Sequence, residues 1–149
     1  MLLKGLWSFN KHLLVTHHLL PRKNPFDVEF HITLFWVQVH HVPVGYVNKS
    51  VAKLLGDFLM KFIGYDFAIS NGGWKSYMHI KVAIDIRVLL KRSKKVLTEK
   101  EYGFIVHFQY ERLPIFCFLC GLLGHNENYC EKLFDGMNGM KQKGWGAWL

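Results

Sequence analysis

Apolar and polar positions alternate along this chain in a way that predicts a short series of strands around one helix. Residues 31–41, from His31 through Phe35-Trp36-Val37-Gln38-Val39 to His41, are rich in β-branched and aromatic side chains and stop before Pro43. They read as a strand, and residues 12–19 read as a second, shorter one. Between them lies Pro21-Arg22-Lys23-Asn24-Pro25, a linker, because two prolines interrupt either regular structure. The period then changes. Val51, Leu54, Leu55, Phe58, Leu59 and Phe62 recur at helical spacing, with Asn48 as N-cap, predicting a helix to about Ile63 that Gly64 closes. Two strand-like runs follow, Tyr65 to Ser70 and Tyr77 to Leu89, joined through Asn71-Gly72-Gly73, whose residues suit a tight hairpin turn. A basic connector leads to a last strand, Tyr102 to Tyr110. This order implies an α+β fold: a small sandwich of antiparallel strands with one main helix over one sheet face. The expected units are a leading segment 1–20, an α+β domain 26–112, a metal-binding segment 113–133 and a Gly/Trp-rich flexible tail 134–149.

Composition changes the picture in two ways. Half of the 149 residues are apolar and 15% are aromatic, so a packed core is expected rather than disorder. Nineteen Lys and Arg against eleven Asp and Glu give a formal charge of +8, which favours polyanionic partners through counterion release. The apolar start, Met1-Leu2-Leu3-Lys4-Gly5-Leu6-Trp7, is broken by Lys4 and Lys11 and lacks a small-residue cleavage site. No run approaches the roughly 18 apolar residues of a membrane span. The chain is therefore expected inside the cell, in nucleus or cytoplasm, without a membrane partner.

The chemistry concentrates near the C-terminus. All three cysteines fall in Cys117-x2-Cys120-x4-His125-x4-Cys130. An odd, clustered set of thiols points to metal rather than disulfides. Three thiolates and an imidazole suit a tetrahedral Zn2+, and four protein ligands close its coordination sphere, so the ion is structural. Gly121 and Gly124 supply permissive backbone positions beside the ligands. Such a small loop cannot bury a core, so metal binding is its folding energy.

Zinc knuckles read single-stranded nucleic acid by offering platforms to unstacked bases. Phe118 is the candidate platform, bordered by Leu122, Leu123 and Tyr129, unless it packs against the preceding domain instead. Zinc with three thiolates is a net anion, so phosphate contacts must come from elsewhere. One basic cluster is Arg87, Lys91, Arg92, Lys94 and Lys95, and another is Lys132, Lys141 and Lys143, interleaved with Trp145 and Trp148. The first cluster reads equally well as a solvated connector, and the Trp-bearing tail as a cover for an apolar face.

No phosphate-binding loop, zinc-protease or nucleophile-elbow motif occurs. The pairs His17-His18 and His40-His41 are expected to point to opposite strand faces and so not to chelate together. Asp57, Asp66 and Asp85 are isolated carboxylates. These features imply a protein that is not an enzyme and has no small-molecule substrate.

The stretch Tyr110-Glu111-Arg112-Leu113-Pro114-Ile115-Phe116-Cys117-Phe118-Leu119-Cys120-Gly121-Leu122-Leu123-Gly124-His125 resembles the signature of a plant family. That family joins a DUF4283 domain to a CCHC zinc knuckle and is related to the first open reading frame of LINE-type retrotransposons. Gly5-Leu6-Trp7-Ser8-Phe9-Asn10, Phe35-Trp36-Val37-Gln38-Val39-His40 with Val42-Pro43, Ile84-Asp85-Ile86 and Gly144-Trp145-Gly146-Ala147-Trp148-Leu149 resemble its other landmarks. The resemblance implies an RRM-like sandwich of which residues 1–20 are a remnant, the chain being an N-terminally truncated copy. Two departures weaken the nucleic-acid contacts: Leu122 stands where the knuckle usually has a basic residue, and Asn126-Glu127 follow the histidine, where retroviral knuckles form part of the platform. The leading expectation is a zinc-dependent protein binding single-stranded RNA or DNA, with Phe118 and the basic residues as contacts. The alternatives are a protein-interaction module and a retroelement-derived fragment without function.

Overall fold

The computed structural model describes residues 7–15, 20–28, 30–66, 77–98 and 102–133. Its centre is β3 (Ile32–His40), whose β-branched and aromatic residues lie in the middle of a five-stranded antiparallel sheet. β5 (Tyr77–Asp85) runs along one side of it, from Ile32↔Asp85 to His40↔Tyr77. β7 (Gly103–Tyr110) runs along the other, from Val37↔Tyr110 to His40↔His107. β4 (Lys61–Tyr65) and β6 (Ser93–Leu97) form the edges, giving the order β4-β5-β3-β7-β6.

This register sorts side chains by parity. Phe35, Val37 and Val39 share a face with Met78, Ile80, Val82, Val106 and Phe108, all fully buried. Trp36, Gln38, His40, His79, Lys81 and His107 take the opposite face. The fold is mixed α+β, as the periodicity predicts.

Helix α1 (Lys49–Leu59) lies between β3 and β4 in sequence and covers the apolar face of β4 and β5 with Ala52, Leu55 and Leu59. Because β5 sits between β3 and β4 in the sheet, the connection is a split β-α-β unit. The Asn48 side-chain oxygen accepts from Val51 N at 2.9 Å, the expected cap. The helix ends at Leu59 rather than Ile63. Phe62 keeps its helical spacing but pairs with Val82 in β4, and its N–H donates to Asp57 Oδ1 at 3.0 Å. Gly64 sits at a β-bulge of that strand and does not act as a helix stop.

The basic connector is also a strand. Ser93–Leu97 pairs with Gly103–His107 along its whole length, so Lys94 and Lys95 point to opposite faces. β5 ends at Asp85 instead of Leu89, because the Asp85 carboxylate accepts from Arg87 N at 2.9 Å and turns the chain. At the N-terminus, β1 (Trp7–Phe9) and β2 (His12–Leu14) form a hairpin that the strand expected over 12–19 did not anticipate. Its turn, Asn10-Lys11, has positive φ at both residues, as a two-residue hairpin requires. The expected turn Asn71-Gly72-Gly73 and the tail beyond 133 lie outside the described residues, as do residues 16–19. No described helix is long and apolar enough to cross a membrane.

The segment after β7 completes the core. Phe116 joins the buried cluster, and Leu113, Phe118 and Leu123 pack against it. Tyr110 donates its hydroxyl to Lys91 O at 2.7 Å, which satisfies the one polar atom of that buried ring. The 113–133 segment therefore shares with α1 the covering of the apolar sheet face.

Candidate metal centre and nucleic-acid interface

The centre is built on a small hairpin. Phe116 bridges Leu123 across it, Cys117 N donates to Leu122 O at 2.9 Å, and Gly124 N donates to Ile115 O at 2.8 Å. Gly121 N closes the turn onto Cys117 O at 2.8 Å. Gly121 and Gly124 adopt φ of 79° and 99°, a region that side chains disfavour. Their position beside Cys120 and His125 explains why the loop needs glycine at both places.

Cys117, Cys120, His125 and Cys130 each bring one ligand atom to the site, all within 4.8 Å of one another. A tetrahedral ion with bonds of about 2.0–2.3 Å fits a cluster of this size after a slight contraction. Cys120 Sγ and His125 Nε2 already stand 3.2 Å apart, and Cys120 N points at Cys117 Sγ from 3.4 Å. The four residues are positioned to bind a zinc ion. A short 3-10 turn, Glu127–Tyr129, capped by the Asn126 side chain, brings Cys130 back to the other three.

The sulfurs are electrostatically distinct. Burial opposes ionisation of Cys117, but N–H groups of Cys120 and Leu119 outweigh it and hold this thiol below its ordinary range. Burial pushes the Cys120 thiol up to about 11, with its sulfur neighbours adding to the effect. A divalent cation supplies the positive charge that such a set needs to lose its protons together.

At the ligands Cys120, His125 and Cys130 lies a cavity of about 300 Å³, lined also by Leu122, Tyr129, Glu131 and Lys132. Tyr129 is 77% exposed, whereas Phe118 is half-buried with its ring edge-on to Phe116 at 5.2 Å. The knuckle thus presents Tyr129 outward and turns Phe118 toward the domain.

The sequence-predicted cations are spread over several surfaces. Arg87 forms a bidentate pair with Asp85, at 3.0 and 2.7 Å, and holds that carboxyl at about 2. Lys91 and Lys94 both stand over the Phe58 ring, at 4.1 and 3.8 Å, and Lys91 also donates to Phe58 O. Arg92 and Lys95 are exposed, Lys95 on the face away from α1. Lys132 is exposed within the knuckle, next to Cys130. Lys141 and Lys143, with Trp145 and Trp148, lie outside the described residues.

One expectation about histidines is corrected. His40 and His41 do not diverge, because His41 ends the strand with φ of 64° and swings back. Its ring lies 6.4 Å from His40 and 5.1 Å from His107, beside a cavity of about 410 Å³. Burial holds the His40 imidazole below its usual value, and the neighbouring His41 and His107 add to this, against a hydrogen bond to Gln109 that works the other way. Sequence reading missed this gathering, since its only signal was three histidines that a register not yet known would align.

Comparison with known proteins agrees with this geometry. A family described as zinc knuckle matches residues 84–132, a span that begins at the end of β5 and includes β6 and β7 besides the four ligands. An uncharacterized protein of Arabidopsis thaliana is 25% identical over 127 residues, 83% of this chain. The chain spans 39% of the length of that relative. No solved structure matches.

Proposed function

We propose that this chain is a non-enzymatic, zinc-dependent binding protein for single-stranded RNA or DNA. The observation that carries the reading is a closed four-ligand site holding the exposed Tyr129 beside a cavity that Lys132 borders. Zinc fixes the loop, Tyr129 and the accessible part of Phe118 take bases, and Lys132, Arg92, Lys95, Lys91, Lys94 and Arg87 hold phosphates. Arg87 contributes least, since Asp85 already neutralises it. The signature over 110–125 supports kinship with the plant DUF4283 and LINE-type first-open-reading-frame proteins, and a nuclear or cytoplasmic site of action.

Titrating zinc-loaded protein with oligouridylate and the matched deoxy-oligomer at two salt concentrations tests this. Engagement of about three phosphates gives a slope of log affinity against log salt near −2. Binding that survives complete zinc removal would take the knuckle out of the mechanism. A protein partner is the second reading, favoured by the exposed Val88-Leu89 turn beside a groove of about 550 Å³. A pull-down insensitive to salt and lost in Leu89→Ser would favour it.

A further inference from the structure

The zinc loop by itself repels phosphate. Zinc with three thiolates is a net anion, and within 113–133 Glu127 and Glu131 outnumber Lys132. A strand laid on the loop therefore needs cations from the segments that flank it. Two stand there, Lys11 and Arg112.

Lys11 arrives from the far end of the chain. The turn between β1 and β2 is fastened to the base of the loop, where Ile115 N donates to Lys11 O at 2.9 Å. Ile115 O in turn accepts from Gly124 N at 2.8 Å, next to the ligand His125. One residue thus joins the Lys11 turn to the ligand loop. Arg112 lies three residues before Ile115, within about 11 Å of it even along a fully extended chain. Its neighbour Glu111 is held to the sheet, its N–H by Trp36 O and its carboxylate by Gln38 and His79. Lys11 and Arg112 are both exposed, and among the described residues no carboxylate pairs with either.

Their backbone is a second, independent observation. Lys11 has φ of 65° and Arg112 of 53°, a left-handed region where glycine or asparagine is the usual residue. Glycine would make either turn with less strain, so turn formation accounts for neither side chain. Four described residues other than glycine have positive φ, and the two cations among them both sit at the base of the zinc loop. Strain of this kind gathers where a side chain serves a function. Exposed rings accompany the first cation: Phe9, 68% exposed, and His12, its partner across the hairpin. Cations beside exposed rings suit a polynucleotide better than a free phosphate or a lipid headgroup, which brings no base.

We propose that Lys11 and Arg112 form a clamp on the phosphate backbone of a single strand at the base of the zinc loop. The proposal rests on the nucleic-acid reading and extends it. The N-terminal hairpin is part of the binding unit, and its cation offsets the charge of the metal site.

The test uses the full zinc-loaded chain and oligouridylate, titrated from about 50 to about 200 mM salt. Lys11→Gly and Arg112→Gly remove the charge yet suit the positive φ, and glycine at position 11 keeps the carbonyl that Ile115 needs. Each is expected to lower the slope of log affinity against log salt by about 0.7 and to weaken binding about 5-fold at about 0.1 M salt. Zinc content and melting temperature are expected to hold or rise, which a structural role for these side chains would not allow. Lys11→Arg is expected to restore the slope. Lys61→Ala, at an exposed lysine of the β4 edge, is the comparison for diffuse charge and is expected to leave the slope unchanged. Parent slope and affinity in both glycine variants would overturn the clamp and leave the proposed function standing. An equal loss in Lys61→Ala would overturn it as well, since net charge alone would then explain the effect. So would displacement of the strand by inorganic phosphate at matched ionic strength, the site then being one for the free anion. Weakened glycine variants with chelation silent would support the clamp and sink the knuckle's role. No binding by the parent protein would end both.

Discussion

Single residues decide whether the knuckle closes. An added Cβ at Gly124 would meet nothing within 4 Å, so the cost of Gly124→Ala comes from its φ of 99° alone. Forcing an alanine into such backbone costs about 1–2 kcal/mol. Because metal binding and loop folding are one event, zinc affinity should fall about 5- to 30-fold. Competition against a chromogenic chelator measures this, and an unchanged constant would mean the loop closes by another backbone path. His40 offers a second residue-level test. Its imidazole is held below the ordinary 6.5, chiefly by burial, so on acidification the unfolded chain takes up the proton first. Stability contributed by the neutral ring is thus present above 6.5 and lost as pH falls from there toward the depressed folded value. His40→Gln should show a shallower decline in melting temperature between pH 7.5 and 5.5 than the parent. Zinc loss acts on both proteins alike, so parallel curves would refute the assignment. The ligands themselves were legible from spacing, since four donors and two glycines coincide in one short loop. The histidine gathering was not, because a single positive φ at His41 reverses what strand parity implies.

At the level of elements, α1 was readable from Asn48 and the apolar stripe, and its end was not. Sequence spacing assigns Phe62 to the helix, yet the same residue serves β4 and lies close over Gly56. A Cβ on Gly56 would come within 2.7 Å of the Phe62 ring and 2.9 Å of its Cβ. Gly56→Ala should therefore destabilise despite alanine's better helix propensity, by about 1–3 kcal/mol. Asn48→Ala, which removes the hydrogen bond to Val51 N, should cost about 1 kcal/mol. Urea melts of the two variants separate these effects, and a stabilised Gly56→Ala would show that helix and strand can part without cost. β6 illustrates the opposite failure of reading. Ser93-Lys94-Lys95-Val96-Leu97 carries charge typical of a connector, and only its partner β7, distant in local pattern, makes it a strand. Lysine on an edge strand also discourages pairing with other chains. The two lysines that the sequence groups into one cluster are thereby sent to opposite faces.

The whole molecule couples metal to fold. Phe116 is buried in the main cluster, with Leu113, Phe118 and Leu123 packed against it, so the zinc loop is part of the cover of the sheet. The matched zinc-knuckle span starts at residue 84, inside the sheet, in keeping with strands and loop forming one unit. The sequence places a boundary near residue 112, where the strand pattern ends and the ligand motif approaches; packing across such a boundary leaves no local mark. If the loop were an independent appendage, removing zinc would unfold it and leave the sheet unaffected. With the observed packing, loss of the loop takes Phe116, 7% exposed, out of the core together with the Leu113, Phe118 and Leu123 packed against it, and frees Leu90 N from Gly121 O. Re-exposing one large apolar side chain costs about 1.5–3 kcal/mol, a sizeable share of the roughly 5–15 kcal/mol that holds a small domain together. Chelation should therefore lower the melting temperature of the sheet by about 10 °C or more, in one transition seen equally by far-ultraviolet and aromatic signals. Phe116→Ala should reproduce most of that shift with zinc still bound, since it removes the contact and leaves the ligands in place. A sheet transition indifferent to chelator, with only a small loop signal lost, would show the two parts to be energetically separate. It would also free the knuckle to reorient toward a bound strand, which the packing of Phe116 against the core otherwise prevents.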